Sequence, residues 1–201
     1  MAERMPYADL WRRELADRLD GEPAAELMDR VEARYAELYR DCTRYDHPAL
    51  RQHLEENILP GLALYRVLRG DDYDEADALQ LVERLLAVDV LRQRRPLELL
   101  GRLPFFFSLL RAVTPRFMGR NFPPQGWQVE WPDEGRDVVA FDIKSCFYLD
   151  VLTAYGAPEL TPVYCRLDDL IYEDLSPHVR WERTRTLGRG DDCCDFRFRR
   201  V

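Results

Sequence analysis

The feature that most constrains this fold is a change of hydrophobic period near Asn121. Before it, apolar residues recur every three or four positions, as on an amphipathic helix. After it they alternate with polar ones, as on a half-buried strand. Leu27, Val31, Tyr35 and Leu38 set the first pattern, with arginine and glutamate between them. Leu50, Leu54 and Ile58 continue it as far as Pro60-Gly61, which should kink or break the helix before Leu62, Tyr65 and Leu68 resume. Gly70-Asp71-Asp72 is a stop, Ala78 to Leu91 is another helix, and Pro96 is expected to open a further one through Phe105-Phe106-Phe107. Beyond the Phe122-Pro123-Pro124-Gln125-Gly126 boundary, Trp127, Val129 and Trp131 alternate with Gln128 and Glu130. Pro132 to Arg136 then turns the chain, and Val138 to Ile143 returns as a second strand. This order predicts an α+β fold. A helical region over residues 1–120 would pack on an antiparallel sheet of about four strands within an α+β region over 121–201, the two joined as one compact unit.

The second region carries the more specific local signals. Ser145 is placed to cap a short helix from Cys146 to Tyr155, which Gly156 ends. Thr161-Pro162 starts another helix, with Val163, Leu167, Leu170, Ile171 and Leu175 as its buried stripe. Cys165, Asp168, Asp169 and Tyr172 fall on a neighbouring face. Val179 to Thr186 reads as a strand, Gly188-Arg189-Gly190 as a hairpin turn without the Lys-Ser/Thr ending of a phosphate loop, and the chain returns through Cys193-Cys194-Asp195-Phe196-Arg197-Phe198. Alternation puts Cys194, Phe196 and Phe198 on one face and Cys193, Asp195 and Arg197 on the other. One thiol is therefore expected among phenylalanines and its neighbour among charges.

Composition narrows the function classes. A net charge of −8 and a pI near 5.0, with arginine interleaved among acids, argue against a nucleic-acid partner. The apolar run Leu103 to Val113 is too short to span a bilayer and contains Arg111, so no membrane partner is expected. Five cysteines, an odd number, with no apolar leader in Met1 to Leu15, point to reduced thiols and a cytoplasmic location.

Three of those cysteines, Cys146, Cys165 and Cys194, sit at a strand–helix junction, on a helix and on a strand. They could converge as nucleophile or metal ligand, or be buried as small hydrophobes. Without a Cys-x-x-Cys pair no metal site is expected. Asp168, Asp169 and Asp195 could supply a general base. Equally, the first two could lie on a solvated face and Asp195 could pair with Arg183 or Arg197. Arg183 and Arg185 share a strand face with Val179 and Trp181; facing inward an arginine would suit a carboxylate, and an outward orientation fits the pattern equally. His47, His53 and His178 cannot be assembled by spacing into a histidine-centred catalytic group.

An ordered pattern now emerges: Cys146; Gly156-Ala157-Pro158-Glu159-Leu160; Cys165 with Asp168-Asp169; Arg183 with Thr186-Leu187; Gly190 with Cys194-Asp195-Phe196 and Phe198. Over roughly the last sixty residues it resembles the L-2-amino-thiazoline-4-carboxylic acid hydrolase family. The resemblance implies hydrolytic opening of a cyclic amidine without a cofactor, on a small-molecule substrate, to give N-carbamoyl-cysteine. By chemistry, Asp168 or Asp195 would be the base and Cys165 or Cys194 a donor or nucleophile, with Cys146 beside them. Arg183, Asp169, Thr186 and Tyr172 would contact substrate, Arg183 as the carboxylate clamp. A fainter resemblance, to 4-vinyl-reductase-type small-molecule-binding domains, would allow a homodimer. It would also allow a cyclase-like tailoring enzyme or a binding module, with an apolar cavity lined by Phe105, Phe106, Phe107, Trp127 and Trp131.

Overall fold

The computed structural model describes residues 4–17 and 22–201; Met1 to Glu3, within the stretch read for a leader, lie outside them. The fold is α+β, helical first and then a four-stranded antiparallel sheet. The chain forms two compact units, residues 1–89 and 90–201.

In the first unit, α1 (Ala8–Ala16) and α2 (Glu22–Asp41) are followed by α3 (Pro48–Gln52), a π-helical turn (His53–Ile58) and α4 (Leu59–Gly70). The stripe Leu27, Val31, Tyr35 and Leu38 is buried, as are Leu50, Leu54 and Ile58. Pro60-Gly61 does not break the path. A π turn pairs each N–H with the carbonyl five residues back, and the Leu59 N–H indeed reaches the Leu54 carbonyl. The next donor in that register would be residue 60, a proline without an N–H, which leaves the Glu55 carbonyl unserved. The Tyr35 hydroxyl donates to it at 3.1 Å. A buried tyrosine on α2 thus repairs a bond that the sequence of α4 cannot make.

Helix α5 (Glu75–Gly101) runs across the boundary between the units, and α6 (Phe106–Asn121) follows. Pro96 lies inside α5 and does not open a new helix. The surrounding residues 91–93 and 95–97 are exposed, so the carbonyl that loses its donor is left facing water. No described helix is long and apolar enough to cross a membrane.

The second unit holds β1 (Trp127–Glu130), β2 (Val138–Cys146), α7 (Phe147–Ala154), α8 (Thr161–Tyr172), β3 (Val179–Glu182) and β4 (Cys194–Arg200), with sheet order β1-β2-β4-β3. Ser145 does not cap α7. It belongs to β2, and its Oγ accepts from the Gln128 N–H at the point where the β1–β2 register slips by one residue; the N-cap is Cys146. Gly156, at φ +68°, ends α7, and the Ala157 N–H returns to the Leu152 carbonyl at 2.8 Å. Thr161 is likewise no side-chain cap, since its Oγ1 is buried without a hydrogen-bond partner among the described residues.

Strand parity holds. Phe141 opposes Phe196 with their rings stacked 4.8 Å apart, and Trp181 opposes Phe198 at 4.9 Å. Tyr172, at the end of α8, meets both Trp181 and Phe198 at 5.0 Å, so α8 covers this aromatic face. On the other face Arg197 bonds Asp142 and Glu134.

Replacing Tyr35 by Phe should cost about 1–3 kcal/mol, the penalty for a buried carbonyl left without a donor. Urea unfolding of the two proteins measures it, and an unchanged midpoint would mean that the π turn does not need the hydroxyl.

Candidate functional site

The expected strand from Val179 to Thr186 stops at Glu182, and the reason is Asp195. Its carboxylate accepts from the Thr184 N–H (2.9 Å), the Thr184 hydroxyl (2.6 Å) and the Arg185 N–H (2.7 Å), replacing ladder bonds with side-chain bonds. These donors favour the charged form; despite burial, the Asp195 carboxyl titrates below its ordinary value. Asp195 is thus spent on the backbone and stands on the face away from Cys194. The chain from Arg183 to Cys193 makes a wide loop with a 3₁₀ turn (Leu187–Arg189), where a tight hairpin had been expected. In that loop the Thr186 N–H donates to Asp191 at 2.7 Å, while the Thr186 Oγ1 is buried with no partner among the described residues.

The loop is pressed onto α8. A Cβ on Gly188 would lie 2.9 Å from the Cys165 Sγ and 3.0 Å from the Thr161 Cγ2, so only glycine lets the backbone come this close. The Gly188 backbone is thereby held against the Cys165 sulfur. This contact was missed when the glycines were read only as a turn; the clue was their place beside the Thr186-Leu187 and Cys194 anchors.

Arg183 ties loop, strand and helix together. Its side chain is only 3% exposed, and it donates to Asp168 Oδ2 (3.1 Å), Asp169 Oδ1 (2.7 Å) and the Cys165 carbonyl (2.6 Å). It also lies over the rings of Phe196 (5.3 Å) and Trp181 (5.7 Å), and the Trp181 indole N–H donates to Asp169 at 3.3 Å. The guanidinium fork expected for a substrate carboxylate is therefore filled by the protein's own acceptors.

Around this ion cluster the structure brings together Cys146, Cys165, Cys194, Asp168, Asp169, Arg183 and Tyr172. Their electrostatics differ sharply. Cys165 is pulled below its ordinary value, first by a hydrogen bond from the Cys194 thiol and then by Arg183 and the Gly188 N–H, against burial and Asp168. Cys194 is pushed up by the same bond and by burial; its own sulfur accepts from the Leu187 N–H at 3.2 Å. Burial pushes Cys146 up to about 11, even though the first amides of α7 point at it. Burial also raises Tyr172, with Asp168 adding to it. Burial, with Asp169, carries Asp168 up to about 6 against the pull of Arg183, while 41% of its side chain stays accessible. The site thus holds a thiol inclined to ionise, a neighbouring thiol that keeps its proton, and a carboxylate poised near neutrality with an open edge.

The residues proposed to line an apolar cavity do not come together as one. Phe106, Phe107 and Trp127 are packed in buried surroundings, whereas Phe105 and Trp131 are exposed. Two clefts, of about 430 and 360 Å³, lie at the far end of the sheet around Ser108 and Arg200 and touch none of the thiols. No group of three or more His, Cys, Asp or Glu among the described residues is arranged to hold a metal ion.

The two carboxylates carry opposite pH signatures. Asp168 binds its proton more tightly folded than unfolded, so it makes the fold lose stability as pH rises from about 4 to about 6. Asp168→Asn should flatten the melting temperature across that window. Asp195 binds its proton less tightly when folded, so the stability it contributes is present above the ordinary carboxylate range and lost as pH falls through it. Asp195→Ala should cost about 3 kcal/mol at pH 7, given three bonds to a charged acceptor. Thermal melts from pH 3 to 8 test both, and parallel profiles for wild type and both variants would refute the assignment.

Comparison with known proteins places this site in a family. No curated protein matches the chain. Among solved structures, the Fe(II) unliganded H-NOX protein from K. algicida aligns over 96% of this chain and 95% of that chain, at 11% identity and a TM-score of 0.36, too loose a superposition to carry an argument. The likeness to 4-vinyl-reductase-type domains finds no support in these comparisons. The model of the L-2-amino-thiazoline-4-carboxylic acid hydrolases, in contrast, matches residues 51–198. The match reaches well beyond the last sixty residues, into the helices from residue 51 onward. With Cys146, Cys165, Asp168, Arg183 and Cys194 all inside the matched span, the chain belongs to the L-2-amino-thiazoline-4-carboxylic acid hydrolase family.

Proposed function

We propose that the protein opens L-2-amino-thiazoline-4-carboxylate, or a close cyclic amidine, through a thiolate at Cys165. One observation carries the reading. Cys165 is part-exposed whereas Cys194 is buried, it lies one helical turn from Asp168, and Arg183 donates both to its carbonyl (2.6 Å) and to Asp168 (3.1 Å).

In this mechanism the Cys165 thiolate adds to the carbon between nitrogen and sulfur. The ring C–S bond breaks, and the freed sulfur takes a proton from water. The carbon is then held on Cys165 as a thioether of an amidine. Water adds its oxygen there and gives one proton to Asp168, whose accessible edge suits a general base. Asp168 passes that proton to the former ring nitrogen as the Cys165–carbon bond breaks and the thiolate returns, and the remaining water proton neutralises the hydroxide left when the freed sulfur was protonated, leaving N-carbamoyl-cysteine. Cys194 keeps its proton and donates to the thiolate in the resting enzyme. Arg183 acts as a positioning residue that sets the charge states of Asp168 and Cys165 without touching substrate.

Incubation with L-2-amino-thiazoline-4-carboxylate, read by thiol release and mass spectrometry, should show turnover that Cys165→Ala abolishes. Asp168→Asn should lower kcat by about 10²–10⁴-fold. In the wild type kcat/KM should rise with pH through about 6 as Asp168 ionises, a limb that this variant lacks. Iodoacetamide should label Cys165 before any other thiol. Full turnover in Cys165→Ala would overturn the nucleophile assignment.

A further inference from the structure

Helix α6 has two apolar faces. Phe106, Phe107 and Met118 are buried on one. On the other, Phe105, Leu109, Val113 and Phe117, spaced four apart, are 58%, 38%, 46% and 52% exposed. Residues at this spacing stack along one side of a helix, and an exposed apolar row rimmed by polar residues marks an interaction surface. Arg116 and Arg120 flank the exposed row. From Leu99 to Val129 the sequence contains four arginines and no Asp or Glu, within a chain of net charge −8. The exposed row thus belongs to a basic stretch of an otherwise acidic chain.

We propose that this face of α6 is a docking surface for an anionic phospholipid membrane, on which the protein lies without spanning it. Charge complementarity selects this occupant. A second copy meeting the same face would bring arginine against arginine with no carboxylate in the stretch to pair them. Four half-exposed side chains offer on the order of 400 Å², about half of the roughly 800 Å² that each partner contributes to a stable dimer. A membrane interface needs less: apolar side chains enter the acyl boundary, and arginines extend to the phosphates with their stems along the apolar row. This departs from the expectation of no membrane partner, which rested on the absence of a spanning segment.

The test is co-sedimentation of the full chain with vesicles of phosphatidylcholine alone and of phosphatidylcholine with 30% phosphatidylglycerol. Binding is expected only to the anionic vesicles and should weaken as salt is raised. Val113→Glu/Phe117→Glu should abolish it, and Arg116→Gln/Arg120→Gln should reduce it at least tenfold. Circular dichroism and thiazoline turnover in solution should be unchanged in both variants. Any of three results would overturn the proposal: no binding to anionic vesicles, equal binding to both vesicles, or a wild-type dimer that Val113→Glu/Phe117→Glu converts to a monomer.

Discussion

The arrangement of the site depends on one arginine held in a place where arginine is costly to put. Taking a guanidinium out of water carries a desolvation penalty of several kcal/mol, recovered only when geometry and partners are good. Arg183 has two carboxylates, a carbonyl and two aromatic faces around it. Because its acceptors all belong to α8 while it leaves the end of β3, it fixes helix against sheet. The loop that follows is then bound to descend over Cys165. Asp168 and the Cys165 sulfur therefore meet the same positive charge, and the chemistry of the thiol and the fold of the second unit rest on a common support.

That shared support is part of why the two residues titrate as they do. Arg183 favours the anionic form of each; at Asp168 burial and Asp169 overcome it, whereas at Cys165 its pull adds to that of Cys194. The thiol is left lowered and the carboxyl raised. Such a pair, pushed toward each other's range from opposite ends, suits the nucleophile and base proposed above. In that proposal Cys194 remains a donor, held protonated by its burial.

Much of this was legible in the sequence where a local rule operates alone. Alternation along Cys194, Phe196 and Phe198 correctly separated the two thiols, and the spacing of Cys165, Asp168 and Asp169 correctly put them on one helix face. What escaped was long-range. Asp195 looked like a base because nothing local shows that its carboxylate will replace the ladder bonds of Thr184 and Arg185. Arg183 looked like a free clamp because its three acceptors are fourteen to eighteen residues away. Pro60 looked like a breaker because the hydroxyl that compensates for it comes from another helix, and Pro96 looked like a helix start because the exposure of α5 is a tertiary property. The family pattern supplied the positions, and packing decided what each residue does.

The cropping of β3 by Asp195 has a bearing on solubility as well as on the site. In the order β1-β2-β4-β3 the outer strands are β1 and β3, each four residues long, and β1 also carries a register slip. An open sheet tempts a second chain to extend it through unpaired backbone groups, and short or irregular margins remove the template. By turning the second half of a potential strand into a loop capped from within, one buried carboxylate keeps the aromatic sheet from offering a long straight border to its neighbours.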